Sequence, residues 1–151
     1  MELLIIRHAI AFERDRDRWA DDAARPLTPA GIGRSHKAAA GLKELSKAPD
    51  RLLTSPLIRA RQTAKILTEV AGWPRAEIAP ELKPGEGTAA VLALLAKDRS
   101  KRLAIVGQPE ALLLIEINDG SDTRGECEYS QYRRGQLELE FLKHEWPPLT
   151  V

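Results

Sequence analysis

Four apolar runs in this chain end beside a side chain that can do chemistry. Arg7-His8 follows Leu3-Leu4-Ile5-Ile6, and Ser55 leads on to Arg59 after Leu52-Leu53. Glu81 lies at the end of the segment 76–82, and Gln108 follows Ala104-Ile105-Val106-Gly107. The set comprises two arginines, one histidine, one carboxylate and one amide. Two arginines aimed at one point make an oxyanion site, because the planar guanidinium fork matches the spacing of phosphate oxygens. A histidine beside them is a candidate nucleophile toward phosphorus. A glutamine amide donates a neutral hydrogen bond but brings no positive charge. Taken singly, each residue has a plainer reading. His8 reads as a hydrogen-bonded histidine at a strand end, Arg59 as a surface helix residue and Gln108 as a loop hydrogen-bonder.

What turns these residues into a set is the series of elements that must carry them. Residues 2–8 begin with a continuous apolar run, the pattern of a central parallel strand buried on both faces. Residues 51–55, 76–82 and 102–107 read as three further short strands. Thr28-Pro29 supplies a cap and a proline at the first helical position, and so opens a helix to about Leu45. Ile32, Ala39, Leu42 and Leu45 make its apolar side. Ser55-Pro56 repeats the signal and opens a helix through about Val70, which Ala71-Gly72-Trp73-Pro74 stops. After the loop 83–87, Thr88 caps a helix to about Lys97. A helix is expected over 110–117, then a turn-rich segment and a β-hairpin from 129–133 and 136–143. The stretch 12–25 is dense in charge, with Arg14-Asp15-Arg16-Asp17-Arg18, Asp21-Asp22 and Arg25. It is either a solvated loop or a substrate-facing loop carrying one useful arginine.

Strands alternating with helices predict the α/β class, here a three-layer α/β/α sandwich with a mostly parallel central sheet. Ligands of open α/β sheets bind outside the carboxyl ends of the strands, and all five residues fall there. A helix N-terminus at Ser55 would add oriented N–H groups.

Composition narrows the class further. A length of 151 residues fits a single domain over 1–151 with a sizeable core. With 30% charged and 43% hydrophobic residues, the chain is not a disordered one. A net charge of +1, from 23 basic and 22 acidic residues interspersed, argues against a general nucleic-acid binder. Cys127 is the one cysteine, so an intrachain disulfide and a cysteine-rich metal site are excluded. There is no His-x-x-x-His and no carboxylate cluster with ligand spacing, so no metal or other cofactor is expected. No apolar run approaches the roughly 20 residues a membrane span needs. Leu3 to Ile6 is too short for a signal peptide. A cytoplasmic monomer is the expectation.

Longer motifs carry a family resemblance. Arg7-His8-Ala9 after an N-terminal strand resembles the Arg-His-Gly signature of the histidine phosphatase superfamily, which has a phosphoglycerate-mutase-like fold. Residues 25–31, Arg-Pro-Leu-Thr-Pro-Ala-Gly, resemble its Arg-Pro-Leu-Thr-x-x-Gly segment. Residues 55–64, Ser-Pro-Leu-Ile-Arg-Ala-Arg-Gln-Thr-Ala, closely match its Ser-Pro-x-x-Arg-Ala-x-Gln-Thr-Ala block. Pro80-Glu81-Leu82 and the strand ending at Gly107 follow in the family's order. The short length resembles the SixA branch, the phosphohistidine phosphatases. The resemblance implies that His8 accepts the phosphoryl group, that Arg7 and Arg59 clamp its oxygens and that Glu81 donates a proton. It implies as substrate a phosphorylated protein or a small phosphate ester. The family places a second catalytic histidine after Val-Gly, where this chain has Gln108. His36 is expected mid-helix and His144 near the C-terminal end of the last strand, so neither substitutes, and the expected outcomes are a weak phosphatase, a specialised one, or a phosphate-binding relative without turnover.

Overall fold

The structure is a computed structural model that describes residues 2–107. Gln108, the expected helix over 110–117 and the expected hairpin over 129–143 lie outside the described residues.

Among the described residues, four strands form one parallel sheet: β1 (Glu2–Arg7), β2 (Arg51–Thr54), β3 (Glu77–Ile78) and β4 (Arg102–Gly107), in the order β1-β4-β2-β3. Three helices connect them: α1 (Pro29–Leu45), α2 (Ile58–Ala71) and α3 (Thr88–Lys97). Parallel connections are right-handed. The path β1 to β2 to β3 crosses the sheet one way, so α1 and α2 share a face. The return from β3 to β4 reverses direction and sends α3 to the opposite face.

The core divides accordingly. Leu4, Ile6, Leu52, Ala104 and Val106 pack with Ala39 and Leu42 of α1 and with Ala60, Ala64 and Leu67 of α2. Leu53, Leu103 and Ile105 pack with Val91 and Leu95 of α3, with Leu3 and Ile5 alongside. Successive strand residues therefore serve opposite layers, which is why the strands read as continuous rather than alternating apolar runs. β4 is buried from Leu103 to Val106. Each large apolar side chain there contributes about 1.5–3 kcal/mol by burial.

Several boundaries differ from the sequence expectation. Among the described residues β1 forms an edge of the sheet and pairs with β4, and its Leu3 and Ile5 are half-buried rather than covered. The Thr28 cap stands, with its hydroxyl oxygen accepting the Gly31 amide at 2.9 Å. However, α1 buries Gly31, Ser35, Ala39 and Leu42, whereas Ile32 and Leu45 are exposed. The small residues of that inward stripe let α1 lie against α2. Ser55 does not open α2. Its amide donates to Val106 O at 2.9 Å, continuing the sheet ladder, and the helix begins at Ile58. Left-handed Gly72 closes it, with φ of 72°. The strand expected over 76–82 keeps two ladder residues, after which Pro80–Leu82 forms a 3-10 turn. Proline lacks the N–H that a continuing ladder requires. Thr88 is the first residue of α3, and Gly87 is its cap.

Candidate functional site

His8 emerges from β1 into a segment held from three sides. Its own amide donates to Gly107 O of β4 at 3.1 Å. The next amide, of Ala9, donates to Thr63 Oγ1 of α2 at 3.0 Å. The Ile10 carbonyl accepts the Thr28 amide at the start of α1 at 3.0 Å. The backbone around the imidazole is thus fixed by a strand and two helices.

The ring is fixed as well. Nδ1 lies 2.8 Å from the Ala9 carbonyl, which can only accept, so Nδ1 carries the proton. Arg59 Nε–H, which can only donate, reaches His8 Nε2 at 3.2 Å. Both bonds select the same tautomer, with a lone pair on Nε2. Burial pulls the pKa of His8 below its ordinary value, and the charges of Arg59, Arg7 and Arg25 pull the same way, against the bond to Ala9 O. The site therefore holds a neutral imidazole among cations, as a nucleophile toward phosphorus requires.

Arg59 sits in the first turn of α2 and is 0% exposed. A buried guanidinium needs compensation, and Asp22 supplies it. Arg59 Nη1 donates to the Asp22 carbonyl at 2.8 Å, and Nη2 to Asp22 Oδ2 at 2.9 Å. The other carboxylate oxygen accepts Arg25 Nε at 2.8 Å. Arg25, itself buried, also donates to Phe12 O. The Asp22 carboxyl is held below the usual range, first by the Arg25 hydrogen bond and then by the Arg59 charge, against partial burial. Burial lowers the pKa of Arg59, and the Asp22 charge opposes this.

The sequence reading found His8 and Arg59, and the structure brings them into contact. Arg7 ends β1 opposite Gly107 and acts on His8 through its charge. Glu81 lies half-buried in the 3-10 turn Pro80–Leu82, with no hydrogen bond to His8 or Arg59. That turn runs beside Gly107, where a Cβ would stand 3.9 Å from the Leu82 carbonyl. Of the charged stretch, residues 13–18 are exposed, whereas Arg25 is buried against Asp22 and Phe12. Asp22 was not singled out. Its available signal was a carboxylate three residues before Arg25, in a stretch where a site arginine would need a counter-charge.

The block at 55–64 now has a physical reading. Arg59 faces His8. Gln62 Oε1 accepts the Leu27 amide at 2.8 Å, fixing the strand-to-helix entry before α1. Thr63 accepts from Ala9 and donates to Arg59 O at 2.9 Å. Ala60 and Ala64 are fully buried where larger side chains would separate the layers. Among the described residues no group of three or more His, Cys, Asp or Glu side chains could hold a metal ion.

Comparison with known proteins agrees with this geometry. An uncharacterized protein of Picosynechococcus sp. is 40% identical over 114 residues, covering 73% of this chain and 68% of that protein. Phosphohistidine phosphatase SixA of Escherichia coli is 38% identical over 85 residues, covering 56% of this chain and half of SixA. A solved structure of the protein histidine phosphatase SixA complexed with tungstate matches with a TM-score of 0.68 at 29% identity. That match covers 80% of this chain and 79% of the other. Residues 3–84 match the model of the histidine phosphatase superfamily (branch 1), a span that includes Arg7, His8, Asp22, Arg59 and Glu81. Since that span exceeds half of the sequence and contains the site just described, the chain belongs to the histidine phosphatase superfamily.

Proposed function

We propose that this protein is a phosphatase working through a phosphohistidine intermediate on His8, with phosphohistidine in proteins as its substrate class and no metal or other cofactor. The observation that carries the reading is the neutral Nε2 lone pair of His8 lying 3.2 Å from a buried guanidinium. The resemblance to SixA, one structure of which holds the tetrahedral oxyanion tungstate, supports the substrate class. On this reading the chain acts as a cytoplasmic, monomeric single domain over 1–151, with neither nucleic acid nor membrane as partner. No described helix is long and apolar enough to cross a membrane.

In the first step His8 Nε2 attacks phosphorus in line, forming a P–N bond as the bond to the leaving group breaks. Arg59 Nε–H shifts from Nε2 to a phosphoryl oxygen, and Arg7 adds positive charge beside it. The leaving atom takes a proton, with Glu81 as the proposed donor. Water then attacks the phosphorylated His8 and gives up a proton to the Glu81 carboxylate, the P–N bond breaks, and inorganic phosphate departs with the lone pair restored to Nε2 and Glu81 protonated again.

Gln108 favours a second reading: a phosphate-binding module with little turnover. Its amide would donate to a phosphoryl oxygen without charge. A rapid-quench experiment with a radiolabelled phosphohistidine-containing transfer domain separates the two. The phosphatase forms label on His8 and then releases phosphate repeatedly. The binding module binds the domain and releases none. His8→Ala is expected to abolish labelling and turnover while the fold persists; wild-type turnover in that variant would overturn the assignment of the nucleophile.

A further inference from the structure

We infer that Asp22 is a positioning residue for the phosphoryl site: its carboxylate and carbonyl hold the Arg59 guanidinium in the orientation that faces His8 Nε2. The inference rests on the phosphatase reading for its kinetic consequence, but the contact itself stands on the geometry. Each nitrogen of Arg59 has its own partner. Nε meets His8, Nη1 meets the Asp22 carbonyl and Nη2 meets Asp22 Oδ2. Two bonds to one residue stop the guanidinium rotating in its plane, and leave Nε–H directed at the imidazole.

Asp22 is itself fixed. It begins a 3-10 turn, Asp22–Ala24, capped by Asp21, whose Oδ1 accepts the Ala23 amide at 2.9 Å. Its carbonyl also accepts the Arg25 amide at 3.3 Å, and its Oδ1 accepts Arg25 Nε. Arg14 approaches the same oxygen at 3.5 Å. One carboxylate thus lies among three guanidinium groups that otherwise repel one another. Alanine here leaves Arg59 buried with a single backbone acceptor on its Nη face; asparagine removes the charge and leaves one acceptor oxygen for Arg25 and Arg59 to share, and either change lets the two guanidinium groups move apart. Misplacing a catalytic group by about 1 Å costs about 100-fold in rate.

The test compares wild type with Asp22→Asn, which keeps the volume, and Asp22→Ala. Asp98→Asn removes a carboxylate from the distant Arg51 ion pair and serves as the control. Two quantities are read: hydrogen exchange of the Arg59 Nε–H by NMR, and kcat with KM on one chromogenic phosphate ester. Both Asp22 variants are expected to speed that exchange and lower kcat about 100-fold, with KM changing far less. The control is expected to leave both unchanged. A purely structural role predicts loss of stability with kcat intact in the remaining folded protein. Unchanged exchange, or faster exchange with unchanged kcat, overturns the inference. If wild type neither turns over nor forms phospho-His8, the phosphatase reading fails. The exchange measurement then decides the contact alone: faster exchange in both variants upholds it, and unchanged exchange removes it.

Discussion

At His8 an ordinary imidazole is prepared by its two ring contacts and by the cations around it. The Ala9 carbonyl takes the Nδ1 proton, and Arg59 marks the lone pair on Nε2. The pKa is lowered by burial first, then by Arg59, Arg7 and Arg25. Protonation would add a positive charge to a site that already has several, so the neutral form persists to lower pH than in a free histidine. The acid limb of kcat/KM is therefore expected below about 6.5, the unperturbed value. Linkage has the same sign. Between the lowered native pKa and about 6.5 the unfolded chain binds more protons, so the contribution of His8 to stability falls as pH drops through that window. A pH-rate profile with its acid limb above the free-histidine value would refute this electrostatic account. At this scale His8 and Arg59 were legible because each follows an apolar run. Asp22 was not, because one acid among many in 12–25 is distinguished only by the burial of the arginine it meets.

Elements hold these residues through close backbone approaches, and Gly31 is the sharpest case. A Cβ added there would lie 2.1 Å from the Ile10 carbonyl oxygen and 3.1 Å from Thr28 Oγ1. Ile10 is two residues beyond His8, and its carbonyl accepts the Thr28 amide. Gly31→Ala must therefore push the segment after His8 away from α1. Overpacking of this kind costs about 1–3 kcal/mol, set against about 1 kcal/mol gained in helix propensity. Gly33, on the exposed side of the same helix, has nothing within 4 Å of an added Cβ. Gly33→Ala is expected to be neutral or stabilising by up to about 1 kcal/mol. Urea midpoints of the two variants, with kcat alongside, check the pair: Gly31→Ala is expected to lose both stability and rate, and Gly33→Ala neither. Equal midpoints would mean that α1 does not constrain the His8 segment. The Thr28-Pro29 cap was readable from sequence because local chemistry decides it. The same signal at Ser55-Pro56 misplaced the start of α2, because a tertiary bond from Ser55 to Val106 keeps that residue in the sheet ladder.

Across the whole molecule the ends of parallel strands gather at one edge, and this explains how much of the site a single sequence could reveal. Parallel strands point the same way, so residues far apart in the chain arrive at one edge: Arg7-His8 after β1, Ser55 on the way to Arg59 after β2, Glu81 after β3. The alternation of elements made that edge legible. The order β1-β4-β2-β3 was not legible, because no local pattern says that β4 enters between β1 and β2. That insertion matters chemically, since it sets the Gly107 carbonyl against the His8 amide. The next residue in sequence, Gln108, stands where the family pattern has a second histidine. Unlike His8, Arg59 and Glu81, a glutamine side chain brings neither charge nor an acidic proton. Gln108→His would restore a donor whose imidazolium is favoured by a bound phosphoryl group. Removing one such transition-state donor typically costs about 100- to 1000-fold, and even a tenfold gain corresponds to about 1.4 kcal/mol. The expected outcome is higher kcat on a generic phosphate ester, with affinity for inorganic phosphate changed less than the rate. Steady-state kinetics of wild type and Gln108→His, with His8→Ala as the blank and circular dichroism to confirm folding, makes the comparison. Equal or lower kcat in the folded variant would mean that the amide is a working part of the site, and that the strand-end set is built around a neutral donor for a different ligand.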